Sequence, residues 1–113
     1  MGRNSYSNEK PLERKFVKWI NSIGGEAVKG PSNTNRGIPD RIVVLPNGGG
    51  TIWVEFKGGT YYQLTPTQVW WKDLLMSSDP KRYFLVDNQE DLDKLINTCK
   101  RLTGMSDCDI MNL

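Results

Sequence analysis

There is no histidine anywhere in these 113 residues, and there are only two cysteines. Without an imidazole, the usual Ser-His-Asp and Cys-His hydrolase mechanisms lose their general base, and a classical zinc site lacks its ligands. Any metal must be held mainly by oxygen. Cys99 and Cys108 are too few and too close to the C-terminus for a disulfide framework, so reduced thiols are expected, the alternative being a pair that closes a short loop. No apolar run approaches the ~20 residues of a membrane span, and the N-terminus lacks the apolar stretch of a secretory signal. A cytoplasmic protein with no membrane partner is the expectation. With no internal repeat, low-complexity tract or linker, residues 1–113 read as one domain, its core over about 7–103 and a tail at 104–113.

The composition that remains, 37% hydrophobic and 25% charged, suits a globular domain. Its net charge of +2 is unevenly spread: residues 1–57 carry nine basic and five acidic side chains, whereas residues 58–113 carry six and eight. If acidic groups of the first half hold a metal, the field left there is strongly positive and suits a polyanion.

The chain is organised around Gly37 to Lys57. Two β-like runs, Ile38–Leu45 and Thr51–Lys57, flank Pro46-Asn47-Gly48-Gly49-Gly50 and read as an antiparallel hairpin. A two-residue Asn47-Gly48 turn sets Asp40 opposite Glu55, and a four-residue loop sets it opposite Lys57. Because directly opposed residues share a face and side chains alternate along a strand, either loop gathers Asp40, Glu55 and Lys57 on one face. Ile52, Val54 and Phe56 take the other, apolar face. Two carboxylates among apolar neighbours are costly unless compensated, and their oxygens suit Mg²⁺ or Mn²⁺. The plainer alternative is an ion pair of Asp40 with Arg41 or Lys57 and an exposed Glu55.

Before the hairpin, the spacing predicts a helix from Ser7 or Asn8 to Gly24-Gly25, after a polar N-terminal segment, with Pro11 in its first turn. At about 100° per residue, Leu12, Phe16, Val17, Trp19, Ile20 and Ile23 form one arc. Glu13 falls inside that arc and needs a partner; Lys10 and Lys18 are the nearest candidates in sequence. Arg14, Lys15 and Lys18 lie on the other side, as a solvated or phosphate-facing surface would. Glu26–Lys29 is a short strand candidate. The polar loop from Gly30 to Gly37 makes Lys29, Ser32 and Arg36 candidates for nucleic-acid backbone contact.

After the hairpin, Thr65-Pro66-Thr67-Gln68 carries an N-cap, a proline at the first helical position and a capping-box glutamine. Trp70-Trp71 and Tyr61-Tyr62 are either base-stacking groups or core and interface residues. Asp79-Pro80 stops that helix. Arg82–Asp87 reads as a buried strand, and a last helix runs from an Asn88 cap to Gly104, with Leu92, Leu95, Ile96, Cys99 and Leu102 on one face.

The motifs Gly37-Ile38-Pro39-Asp40-Arg41, Val54-Glu55-Phe56-Lys57 and Leu64-Thr65-Pro66-Thr67-Gln68, in this order and with fourteen residues between Asp40 and Glu55, resemble the signature of PD-(D/E)XK nucleases. They are similar in particular to the VRR-NUC, or virus-type replication-repair nuclease, branch. The similarity runs from about Ser7 to about Leu95. It implies an α/β, restriction-endonuclease-like α-β-β-β-α-β-α core, a mixed central sheet flanked by helices, in agreement with the element order read above. It implies that Asp40, Glu55 and the carbonyl of Phe56 hold Mg²⁺ or Mn²⁺ and that Glu13 completes or supports the metal shell. By the same likeness Lys57 orients the attacking water, and Gln68, with Lys72 one turn on, faces water or phosphate. The expected function is a metal-dependent, structure-selective DNA endonuclease. Analogy extends it to a homodimer that resolves Holliday junctions, acting on branched DNA. The alternative is a non-catalytic or partner-dependent nucleic-acid-binding protein on the same fold.

Overall fold

The computed structural model describes residues 3–30, 37–58 and 64–105. In chain order its elements are α1 (Arg3–Ser22), β1 (Glu26–Lys29), β2 (Arg41–Leu45), β3 (Gly50–Phe56), α2 (Pro66–Ser78), β4 (Tyr83–Val86) and α3 (Gln89–Thr103). This is the expected α-β-β-β-α-β-α order. The four strands form one sheet in the order β1-β2-β3-β4, antiparallel up to β3 and parallel between β3 and β4, so the sheet is mixed.

The turn sets the register of the hairpin. Asn47 and Gly48 both adopt positive φ, 56° and 76°, as a type I′ turn requires, and Gly49 N–H donates to the Pro46 carbonyl at 3.0 Å. Leu45 therefore pairs with Gly50 and Arg41 with Val54. One residue further out, Asp40 comes opposite Glu55, as the two-residue turn predicts. Ladder pairing stops at Arg41, later than the strand start at Ile38 read from the sequence. Pro39 has no N–H to offer a ladder, and the Asp40 N–H goes to the Glu55 side chain while the Asp40 carbonyl accepts from Gly30 N–H.

One face of the sheet is the core. Ala27, Val43, Leu45, Ile52, Val54, Phe56 and Val86 meet Leu12, Phe16 and Ile20 of α1 and Leu92, Leu95 and Cys99 of α3. Phe16 and Phe56 pack ring to ring with centroids 5.9 Å apart. Burying side chains of this size is worth about 1.5–3 kcal/mol each. Cys99 lies in this core as a free thiol, and burial pushes its pKa up to about 12. Cys108 lies outside the described residues.

The opposite face is only partly covered. The start of α2 reaches it, but Val44 and Val28 stay exposed there, and α2 itself buries no residue completely. Thus β2, whose Ile42–Leu45 run reads as apolar on both sides, is internal to the sheet yet covered on one face. α1 also differs from expectation. It starts at Arg3, so Arg3 to Tyr6, read as part of a polar segment before the helix, already belong to it, and Pro11 sits inside the helix instead of in its first turn. A proline there removes one backbone bond without ending the helix, because the apolar stripe from Leu12 onward holds the following turns on the sheet. Asn88 accepts from Asp91 N–H as the cap of α3, and Gly104 follows that helix, both as expected.

Candidate active site

At the end of the hairpin away from its turn, β2 and β3 part, and two carboxylates take up the N–H groups that the ladder leaves unpaired. The Asp40 N–H donates to Glu55 Oε1 at 3.1 Å, and the Phe56 N–H donates to Asp40 Oδ2 at 2.8 Å. Each acid is thus fixed by the other strand's main chain. Glu55 Oε2 accepts from Gln68 Nε2 at 2.7 Å and lies 3.4 Å from Lys57 Nζ. Lys57 Nζ in turn donates to Gln68 Oε1 at 3.2 Å.

Gln68 reaches this cluster because its helix starts here. Thr65 Oγ1 accepts from Gln68 N–H at 3.2 Å, and Thr65 N–H donates to Gln68 Oε1 at 2.9 Å, closing the capping box. The capping and site roles, which compete as explanations of this glutamine in the sequence, are carried at once. Its Oε1 accepts from the cap and from Lys57, while its Nε2 serves Glu55. Gly37 presses against the same helix start. With φ +83° it occupies the left-handed region, and a Cβ there would collide with the main chain of Thr67 and Gln68.

The electrostatics are those of a site short of positive charge. Burial, and then the nearby Asp40 carboxylate, push the pKa of Glu55 up to about 7. Burial likewise raises Asp40 above the ordinary aspartate value. Two acids this close, desolvated together, ionise more readily with a further cation to share. A hard divalent ion fits the donor set. Among the described residues no group of three His, Cys, Asp or Glu side chains converges, so the protein would supply two carboxylates and main-chain oxygen and leave further positions to water and phosphate, as Mg²⁺ prefers.

Glu13 stands apart from this pair. It is buried, and its Oε2 accepts from Arg41 Nε at 2.8 Å, with Lys10 Nζ 3.9 Å from Oε1. Arg41 also donates from a terminal nitrogen to the Ala27 carbonyl at 2.9 Å. The main partner of Glu13 is therefore Arg41, rather than Lys10 or Lys18. Arg41 is accordingly spent on Glu13 and the main chain, rather than on Asp40. Phe56 is at the site, and the contact it makes there is through its N–H. Lys72 is half-buried, one turn beyond Gln68. Lys29 is exposed at the end of β1, opposite Arg41. Ser32, Arg36, Tyr61 and Tyr62 lie outside the described residues. Trp70 is 59% exposed and meets Trp71 edge-on, with centroids 5.3 Å apart.

No family model matches the chain. Among curated proteins it is similar to "Putative nuclease p44" of Acyrthosiphon pisum secondary endosymbiont phage 1, with 45% identity over 60 residues. The match covers 50% of this chain and 63% of that protein, less than two thirds of the relative's length. A solved structure described as a VRR_NUC domain superposes with a TM-score of 0.66 and 23% identity, over 80% of this chain and 95% of that one. By that superposition, the chain has the fold of a VRR-NUC domain.

Proposed function

We propose that the protein is a metal-dependent nuclease that hydrolyses phosphodiester bonds of DNA. The observation that carries this reading is the closed hydrogen-bonded set of Asp40, Glu55, Lys57 and Gln68 at the open end of the hairpin. A single lysine and a glutamine partly compensate one carboxylate oxygen, and two desolvated acids with one ammonium group between them leave negative charge for a metal ion to offset. The name of the phage relative, a nuclease, points the same way.

Asp40, Glu55 and the Phe56 carbonyl would hold Mg²⁺ or Mn²⁺, which when bound supplies charge to polarise a phosphate and acidify a water. Asp40 and Glu55 keep their geometry through main-chain donors on rigid strands. Lys57, held by Gln68 Oε1 and Glu55 Oε2, aims an ammonium group at the space in front of the acids. There it orients the attacking water and stabilises charge that develops on the phosphate oxygens. Gln68 keeps Lys57 and Glu55 in mutual register. Glu13 supports the arrangement from behind through Arg41, the residue next to Asp40.

The finer reading is a structure-selective endonuclease of branched DNA, acting as a homodimer whose two sites make paired cuts at a four-way junction. It is supported by the small size of the domain and by the exposed apolar side chains of α2. The test incubates wild type and Asp40→Ala with labelled four-way junction, flap, duplex and single-stranded DNA, in Mg²⁺, Mn²⁺ or chelator. Metal-dependent cutting by the wild type, lost in the folded Asp40→Ala variant, is expected. Equal cutting by both proteins, or none by either, would sink the assignment. Paired nicks confined to the junction would identify a resolvase.

A further inference from the structure

A concentration of positive charge lies on the helix-covered side of the sheet, round the end of β2 from the two acids. There α1 and the β1–β2 edge enclose an open cleft of about 380 Å³. Lys10, Arg14, Lys18, Lys29 and Arg41 line it, against one carboxylate, Glu13. Glu13, the one acid of the lining, is shared by Arg41 at 2.8 Å and Lys10 at 3.9 Å, so the lining as a whole carries more positive than negative charge.

The arrangement is linear. Lys10, Arg14 and Lys18 follow one another at four-residue spacing on α1, and so form a stripe on one helix face. The stripe climbs about 12 Å along the helix. At an axial rise of about 3.4 Å per nucleotide, that is about three to four steps of a nucleic-acid strand. Lys29 faces the stripe from the edge strand, opposite Arg41 in the register. At its inner end the cleft adjoins the acids: Arg41 follows Asp40 directly, and Lys10 and Glu13 lie near enough for their charges to act on the Asp40 carboxyl. Val17 gives the floor an apolar patch, while Arg14, Lys18 and Lys29 remain exposed. Exposed cations on such a rim suit an extended polyanion more than a small enclosed ligand.

We infer that this cleft is a phosphate-binding track for one strand of the nucleic acid. It seats several backbone phosphates adjacent to the bond presented to Asp40 and Glu55, reading charge and not base sequence. The proposal rests on the nuclease reading for what lies at the inner end of the track, but its binding can be measured without any cleavage.

The full chain is compared with Lys18→Glu/Lys29→Glu and with a control, Lys81→Glu/Lys94→Glu, which makes the same charge change at exposed lysines outside the cleft. Fluorescence anisotropy follows binding of labelled single-stranded and duplex DNA in chelator, over a series of salt concentrations, with folding checked by circular dichroism. The cleft variant is expected to bind on the order of tenfold more weakly than the control, with a salt slope shallower by about 2, one for each phosphate that the missing lysines no longer neutralise. If the cleft variant and the control bind alike, or if the wild type binds neither DNA, the track is refuted. Failure of the nuclease reading is seen separately, as intact DNA after incubation of the wild type in Mn²⁺, and leaves the anisotropy result standing.

Discussion

Glu55 is the carboxyl group at the site whose ionisation the fold resists most visibly. Its pKa of about 7 lies above the ordinary 4.5, so between these values the folded protein keeps a proton that the unfolded chain has released. Its contribution is therefore fully present below about pH 4.5 and is lost as pH rises through 7. Asp40 shifts in the same direction and adds to the trend. In chelator, stability should fall over this window by roughly 3 kcal/mol, since each tenfold change in proton affinity is worth about 1.4 kcal/mol. Glu55→Gln, with no charge to resist, should flatten the profile, and Mg²⁺ or Mn²⁺ should raise the wild type's melting temperature at neutral pH. Thermal melts of both proteins across pH decide this. Parallel profiles would mean that the acid is not under the stress described. The shared face of this pair was legible in the sequence because either even-length loop gathers it, whereas the register, Asp40 opposite Glu55 or Lys57, stayed open until the positive φ of Asn47 and Gly48 chose the two-residue turn. The partner of Glu13 was not legible. Arg41 lies 28 residues away on another element, and nothing local says where α1 crosses the sheet.

Among the elements, α2 is the one whose placement matters most to the site. Its start signal, Thr65-Pro66-Thr67-Gln68, was readable because capping chemistry is local. That the same glutamine reaches Glu55 and Lys57 depends on how closely α2 docks, which Gly37 controls. Gly37→Ala should combine left-handed backbone strain of about 1–2 kcal/mol with a collision against Thr67 and Gln68. Gly48→Ala incurs similar strain, yet its Cβ would meet nothing within 4 Å. Cleavage assays and melts of the two variants should therefore diverge, with Gly37→Ala losing at least about tenfold in activity and Gly48→Ala losing only stability. Equal activity would mean that α2 is not held by this contact. The N-terminal boundary of α1 differs from the sequence reading for a related reason. Pro11 has the look of a first-turn residue, but tertiary burial of the stripe behind it carries the helix through.

For the whole molecule, the sheet divides a packed side from a sparsely covered one. α1 and α3 close the first. On the second, α2 leaves Val69, Trp70, Leu74 and Met76 exposed, an apolar set of the kind that pairs identical subunits. If the homodimer forms through α2, light scattering should give the mass of two chains for wild type and of one for Trp70→Glu. A one-chain mass for the wild type at working concentration would exclude that dimer. The uneven charge of the two halves was visible in the sequence. Its gathering into one cleft was not, since the stripe on α1 and Lys29 on β1 meet only when the helix lies across the strand edge.

The double duty of Gln68 ties chemistry to local order. α2 buries none of its residues completely, so its first turn can fray at a free-energy cost well below that of global unfolding. When that turn opens, the cap and the grip on Lys57 are released together. On warming, the protein would then fall silent while most of its fold is still intact, and recover as the turn re-forms. Loss of activity with heat would then report on one helical turn, ahead of the core.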